Sequence, residues 1–144
     1  MIEKDTVRLL RECDSGVKMG VAAIDDVIDK VKNEKFREKL IDLKDDHQQL
    51  NADIQKLLGE YHDEGKDPDP FIKGMSHIKT NFRMAAYNSD ETIADLMTDG
   101  CNMGVKSLSR YLNQYKAADE KSKELTKRLV KIESDFSAEI RCFL

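Results

Sequence analysis

The sequence has 144 residues, of which 40% are hydrophobic and 36% are charged, and its formal net charge is −4. This length suits one domain with a single core. The acidic balance argues against a nucleic-acid binder and, more weakly, against binding to an anionic membrane surface. Only two prolines, seven glycines and no tryptophan accompany the aliphatic and charged residues. That composition favours long amphipathic helices over a sheet.

The sequence also predicts a compartment. Charged side chains interrupt the apolar positions of residues 1–11, so no signal peptide is expected there. No window contains the ~20 consecutive apolar residues that a membrane span requires. The three cysteines, Cys13, Cys101 and Cys142, are odd in number, far apart and without CxxC spacing. They are predicted to be reduced, buried thiols in a cytoplasmic protein.

The first two helices are predicted from apolar residues that recur every three or four positions, the spacing of a buried helical stripe. The first stripe contains Val7, Leu10, Cys13, Val17, Gly20, Ile24, Val27 and Val31, and the second contains Phe36, Leu40, Leu43, His47, Leu50, Ile54, Leu57 and Tyr61. Only Asn33 and Glu34 separate the stripes. The short connection predicts an antiparallel hairpin over about 4–62.

A break follows the first hairpin, because residues 63–70 contain one glycine and two prolines. Asp69 suits a helix cap and Pro70 the first helical position, so a short helix is expected from Phe71 to Tyr87. We assign 63–88 to a crossover that carries this short helix along the bundle.

A second hairpin is predicted over about 89–143. Its first helix starts at Ser89 and Asp90, and its second helix follows Asp119. The expected stripes contain Ile93, Met97, Gly100, Gly104, Leu108, Tyr111 and Tyr115 in the first helix, and Leu125, Leu129, Ile132, Phe136, Ile140 and Phe143 in the second.

The pattern Gly-x-x-Met-Gly-Val occurs in the first helix of both hairpins, starting at Gly16 and at Gly100. A looser match between the second helices sets His47 against Phe136. Two related hairpins indicate a duplicated bundle, and pseudo-twofold packing requires a long crossover between them. Glycine inside a helix costs roughly 1 kcal/mol relative to alanine. The four glycines therefore indicate close helix approach, or room for His47 and Phe136.

This organisation resembles the ferritin-like superfamily. The run Cys13-Asp14-Ser15-Gly16 with His47 and Leu50, and the second Asp99-Gly100, are similar to bacterial ferritin-like domains of unknown function. The resemblance covers nearly the whole chain. It implies an all-α, ferritin-like four-helix bundle of two antiparallel hairpins, with one domain over residues 1–144 and a crossover containing a short extra helix.

Ferritin-like enzymes hold two metals with a carboxylate from each of two helices and a Glu-x-x-His pair from each of the other two. The matching positions here are mostly occupied by other residue types. They are Ser15, Gly16 and Val17 near Asp14, Asp99 with Gly100 and Cys101, Lys44-x-x-His47, and Glu133-x-x-Phe136. The di-metal site is therefore predicted to be degenerate, with no catalytic or cofactor-binding residues, no metal and no cofactor expected.

A reduced metal site is the alternative. Its candidate ligands are His47, Cys101, Asp14, Asp99 and Glu133, for iron, manganese or zinc in a metal-binding or oxidative-stress protein. The simpler interpretation makes His47 a buried, hydrogen-bonded core residue. A glycine-lined cavity that carries an apolar small molecule is a third hypothesis. The methionines, Met19 and Met97 among them, are interpreted as core gap-fillers.

The leading hypothesis is a non-enzymatic bundle that acts through oligomerisation or protein–protein interaction. Apolar residues outside the stripes, Leu9, Ile41 and Val130, are expected to be exposed and to form a homodimer or partner surface. No nucleic acid and no membrane are expected among its partners.

Overall fold

The computed structural model describes residues 2–66 and 89–144, and within these ranges it is all-helical, without a strand. The four α-helices are α1 (Ile2–Val27), α2 (Glu34–Glu60), α3 (Asp90–Gln114) and α4 (Glu120–Glu139). Short 3-10 helices cover Ile28–Lys30 and Arg141–Phe143. The predicted all-α bundle is thereby confirmed, whereas the short helix predicted over 71–87 lies outside the described residues.

Polar side chains cap the start of three helices, at the predicted Ser89 and Asp119 and also at Asn33. The side chains of Asn33, Ser89 and Asp119 precede α2, α3 and α4, and each accepts a hydrogen bond from a backbone N–H in the first turn. Such caps satisfy amides that have no partner within the helix, and replacing one with alanine typically costs about 1 kcal/mol. The caps therefore fix where α2, α3 and α4 begin.

The bundle direction follows from bonds between helix ends. The Asp90 carboxylate, at the start of α3, accepts bonds of 2.9 Å from the backbone N–H groups of Lys32 and Asn33, just before α2. The Asp119 N–H, just before α4, donates a 2.8 Å bond to Thr6 Oγ1 in the first turn of α1. Helices α1 and α4 therefore run one way, and α2 and α3 run the other.

This arrangement separates the end of α2 from the start of α3 by the length of the bundle. Helix α2 has 27 residues, which at 1.5 Å per residue corresponds to about 40 Å. Helices α1 and α4 contact each other and both of the remaining helices, whereas α2 and α3 do not pack on each other, so α2 and α3 lie diagonally.

The buried stripes differ from the predicted positions by one residue at one level in each of three helices. Leu58 is buried instead of Leu57, Cys101 instead of Gly100, and Glu133 instead of Ile132. In α3 and α4 the exchange is local, because Gly104, Leu108, Phe136 and Ile140 are buried where predicted. Steps of three and of four residues both stay on one face of a helix with 3.6 residues per turn, so the spacing alone does not choose between neighbouring positions.

Helix α1 is buried over a wider arc than its stripe predicts. Leu9, expected on the surface, is fully buried, and Thr6 and Ser15 are also buried. The physical reason is that α1 packs against all three other helices rather than two. The exposed-surface interpretation of Leu9 was therefore wrong.

None of the helices within residues 2–66 and 89–144 combines the length and apolar character needed to cross a membrane.

Candidate functional site

Two polar side chains meet in the middle of the bundle. His47 on α2 and Glu133 on α4 have side chains only 1% and 9% exposed, and His47 Nε2 lies 3.6 Å from Glu133 Oε1. Both residues occupy buried positions of their helices, between aliphatic neighbours. Burying such groups is costly unless they are paired. This pair is therefore the first feature that core packing alone does not explain.

The tautomer of His47 follows from its backbone contact. Nδ1 lies 2.8 Å from the carbonyl oxygen of Leu43, one turn earlier in α2. A carbonyl oxygen only accepts hydrogen bonds, so Nδ1 must carry a proton and donate it. In the neutral ring, Nε2 then has a free lone pair. This atom is buried and has no hydrogen-bond partner in the described parts of the chain.

Glu133 also lacks part of its hydrogen bonding. Its Oε2 atom is also buried without a hydrogen-bond partner among the described residues. Burial raises the pKa of Glu133, and the neighbouring His47 imidazole counteracts part of that rise. Native structures leave few buried polar atoms unpaired, so each one requires an explanation.

The second glycine of each sequence repeat makes room for this pair. A Cβ atom on Gly20 would lie 2.7 Å from His47 Nε2, and a Cβ on Gly104 would overlap Glu133 Oε2. By contrast, a Cβ on Gly16 would make an ordinary 3.7 Å contact with Leu129, and one on Gly100 would meet nothing within 4 Å. Two of the four glycines therefore serve a steric purpose.

The glycine contacts confirm one sequence prediction and correct another. Gly20 leaves room for His47, as expected. In the second hairpin the residue opposite Gly104 is Glu133 and not Phe136. At this level of α4 the buried position is Glu133 rather than Ile132, and the Glu133 carboxylate lies beside Gly104 of α3. His47 and Glu133 thus have equivalent positions relative to the two glycine repeats.

A small cavity of about 40 Å³ adjoins the pair and receives residues from all four helices. It is lined by Met19, Gly20, Ala23, Leu43, His47, Leu96, Met97, Gly100, Cys101 and Glu133. A water molecule needs roughly 10–15 Å³ by this kind of measure, and drug-sized ligands need about 300 Å³ or more. The cavity therefore suits a water or an ion. It does not fit the expectation of a carrier for larger apolar molecules.

Cys101 contributes a thiol to this cavity. Burial, together with the nearby Glu133 carboxylate, raises the pKa of Cys101 to about 12. The side chain is consequently a protonated thiol at neutral pH unless another positive charge enters the site.

The structure brings together three of the five candidate ligands. His47, Cys101 and Glu133 line one cavity. Asp14 instead accepts bonds of 2.6 Å from Gln55 Nε2 and 2.9 Å from the Lys66 backbone N–H, and pairs with Lys18 Nζ at 2.8 Å.

Asp14 and Asp99 therefore do not belong to the central site. Asp14 is used in fastening residues 65 and 66 to α1, next to Gly65, whose φ of +91° favours glycine. Asp99 is on the exposed side of α3. Asp14 is buried but lies at the wrong level, because its partner Gln55 is about 12 Å along α2 from His47. Asp99 lies near the correct level but on the wrong face.

The donor set does not fit a di-metal centre. That centre uses four carboxylates and two histidines, whereas the cavity contains one of each. Among residues 2–66 and 89–144, no group of three or more His, Cys, Asp or Glu side chains is arranged to hold a metal ion. Met19 and Met97, which the sequence analysis interprets as core gap-fillers, also line the cavity.

The other two cysteines lie away from the site. Thr126 Oγ1 donates to the Ser122 carbonyl at 2.8 Å, so Cys13, 3.0 Å from Thr126, must donate its thiol proton. Burial raises the pKa of Cys13 to about 12. All three cysteines are free, but Cys142 is exposed, contrary to its predicted burial.

In comparisons with protein-family models, curated proteins and solved structures, nothing matched this chain. The ferritin-like resemblance therefore stays a prediction.

Proposed function

We propose that this chain is a ferritin-like bundle without two-metal enzymatic chemistry, and that its central cavity binds a single transition-metal ion. One observation carries the proposal. His47 Nε2 and Glu133 Oε2 are both buried, both lack a hydrogen-bond partner in the described residues, and both belong to side chains that line one cavity. An ion accepts electron pairs from both atoms, and so satisfies them together.

The orientation of His47 supports this proposal. Metal-binding histidines almost always donate their second ring N–H to a carbonyl, a carboxylate or a water, which fixes the tautomer and directs the lone pair. The 2.8 Å contact between His47 Nδ1 and the Leu43 carbonyl is of that kind. The lone pair on Nε2 is therefore available before any ion arrives.

The separation of the two side chains also suits a bridging ion. His47 Nε2 and Glu133 Oε1 are 3.6 Å apart, too far for a good hydrogen bond. Bonds from a transition metal to nitrogen and carboxylate oxygen are roughly 2.0–2.2 Å, so one ion spans about 4 Å at a wide angle. Acidic, histidine and cysteine side chains do not complete a site alone in the described residues, so at least one further ligand must be of another type.

The ferritin-like part of the proposal is supported by the helix directions. Helices α2 and α3 run the same way and lie diagonally, which requires a long return connection between the hairpins. The proposed short helix from Phe71 to Tyr87 belongs to that connection. Within this proposed fold, His47 and Glu133 are the remaining members of a smaller metal site in the middle of the bundle.

The test is the metal content of untagged protein purified without chelators, measured by elemental mass spectrometry. We expect about one ion per chain, lost in His47→Gln. Asp99→Asn is the matched control, because Asp99 is a former candidate that is exposed on α3. A folded protein that neither retains metal nor binds any added transition metal would overturn the proposal.

Association with a second copy or another protein is a second candidate function, favoured by a groove between α2 and α4. The groove has a volume of about 350 Å³, an apolar floor of Leu43, Ile132 and Phe136, and charged rims. Grooves of this form accept amphipathic helices. Of the residues first expected to form a partner surface, Ile41 is 44% exposed, Val130 is half-buried and Leu9 is buried.

The groove hypothesis is tested by light scattering after size exclusion over a range of concentrations. Asp46 lines the groove and its exposed neighbour Asp45 does not. We expect Asp46→Arg to weaken association more than Asp45→Arg does. A strict monomer that captures no helical partner, or equal effects of both substitutions, would count against this function.

A further inference from the structure

We infer that the central cavity is a site for a soft, monovalent metal ion, Cu(I), rather than for iron, manganese or zinc. The inference rests on the proposed single-metal function and specifies its ion. It follows because the sulfur-rich set of donors in the cavity does not match the oxygen-rich set that a hard metal ion needs. The proposed soft ligands are Cys101, Met19 and Met97, beside the His47 imidazole and the Glu133 carboxylate.

The donor types in the cavity are predominantly soft. One thiol and two thioethers line it, from Cys101, Met19 and Met97, and only Glu133 provides carboxylate oxygen. Thiolate ligands select Cu(I) or zinc, but zinc sites use Cys, His and carboxylate ligands and not thioethers. Manganese and other hard ions need several oxygen ligands. Imidazole nitrogen, here from His47, is compatible with copper. The cavity therefore matches Cu(I) better than the metals of a carboxylate-rich centre.

The positions of the methionines distinguish a ligand role from simple gap filling. Met19 and Met103 occupy equivalent positions in the two sequence repeats. Met19 lines the cavity, whereas Met103 is 50% exposed and does not. The repeat therefore does not require a buried methionine at this position. Met97, one turn before Cys101 on α3, is 7% exposed and also lines the cavity.

A monovalent ion also suits the charge of this environment, because a buried site tolerates little change in net charge. When Cu(I) binds, the S–H bond of Cys101 breaks, a copper–sulfur bond forms, and the proton leaves to solvent. One positive charge replaces another, so the net charge of the buried site does not change.

The experiment is an anaerobic Cu(I) titration against a coloured Cu(I) chelator. Cys142 is replaced by alanine throughout, because its exposed thiol binds copper independently of the cavity. We expect one Cu(I) per chain. Cys101→Ser and Met97→Leu should each weaken binding by at least about tenfold, since even losing an outer-shell partner costs about that much. Met103→Leu is the matched control and should leave the affinity unchanged.

Parallel titrations with Zn(II), Mn(II) and Fe(II) distinguish the copper inference from the single-metal function on which it rests. If a divalent ion binds in a His47-dependent manner and Cu(I) does not, the copper inference fails and the single-metal function survives. If no ion binds to the folded protein, both fail. Equal effects of Met97→Leu and Met103→Leu would also overturn the inference. Met97→Leu nearly conserves volume, so folding, checked by circular dichroism, should persist.

Discussion

Within the described parts of the chain, two acidic side chains are buried, and they are buried in different ways. Asp14 is fully buried and its carboxylate contacts Gln55, the backbone of Lys66, and Lys18. Glu133 is almost as deeply buried, yet one of its oxygens has no partner among the described residues and its neighbour is a cavity. A satisfied carboxylate fastens chain segments together, whereas an unsatisfied one next to a cavity is available to a ligand.

The largest expected effect comes from removing the satisfied carboxylate. Asp14→Ala leaves the Gln55 amide and the Lys66 N–H without their acceptor and should lower the free energy of unfolding by about 3 kcal/mol or more. Asp25→Ala is the control, since Asp25 is 51% exposed in its 2.6 Å pair with Lys44 and such pairs contribute under about 1 kcal/mol. Urea denaturation measures both. Equal losses would show that Asp14 does not fasten the chain.

An intermediate effect is expected from the glycines beside the unsatisfied pair. Gly104→Ala places a Cβ on Glu133 Oε2 and should cost about 1–3 kcal/mol by overpacking. Gly100→Ala meets nothing within 4 Å and should stabilise the helix by up to about 1 kcal/mol. Gly20→Ala and Gly16→Ala form a second matched pair in α1. Thermal and urea unfolding of the four variants should separate them into two classes. Similar stabilities within each pair would contradict the steric assignment.

The smallest effect should appear in the pH dependence of stability. Burial raises the pKa of Glu133 above its ordinary value of 4.5, so the folded chain binds this proton more tightly than the unfolded chain. The resulting stabilisation is complete below pH 4.5 and is lost as the pH rises through the raised pKa.

The Glu133→Gln variant lacks this titrating carboxyl group, so it is the reference for the wild type. We expect the free energy of unfolding of the wild type, relative to Glu133→Gln, to fall as the pH rises above 4.5. Denaturant unfolding at a series of pH values provides the measurement, because the other titrating groups are common to both proteins. Parallel profiles for the two proteins would contradict the assignment.

Much of the fold was predictable because it depends on local patterns. Ser89 and Asp119 act as helix caps where the sequence indicates, and the apolar spacing predicts four long helices. The burial of Glu133 rather than Ile132 in α4 was not predicted. Both positions fit a three-and-four spacing between Leu129 and Phe136, and the apolar residue was the natural choice.

The site was predictable in its residue types and not in its contacts. His47 was identifiable because it interrupts an apolar stripe. In the sequence, Asp14 was as plausible a ligand as Glu133. Its bond to the backbone N–H of Lys66, 52 positions away, gives it a structural role instead, and no residue pattern reveals such a bond. The roles of Met19 and Met97 depend on the cavity, which forms only when α1 and α3 pack together.

The bond between Thr6 and Asp119 also affects how the chain folds. It joins residues 113 positions apart, and a second bond joins Asp5 and Ala117 across 112 positions. Each hairpin is built from contacts close in sequence, whereas these bonds close a loop of most of the chain. Loop closure and non-local contacts slow folding. The two hairpins are therefore expected to form early. The complete bundle is expected to form later, when the first turn of α1 contacts the start of α4.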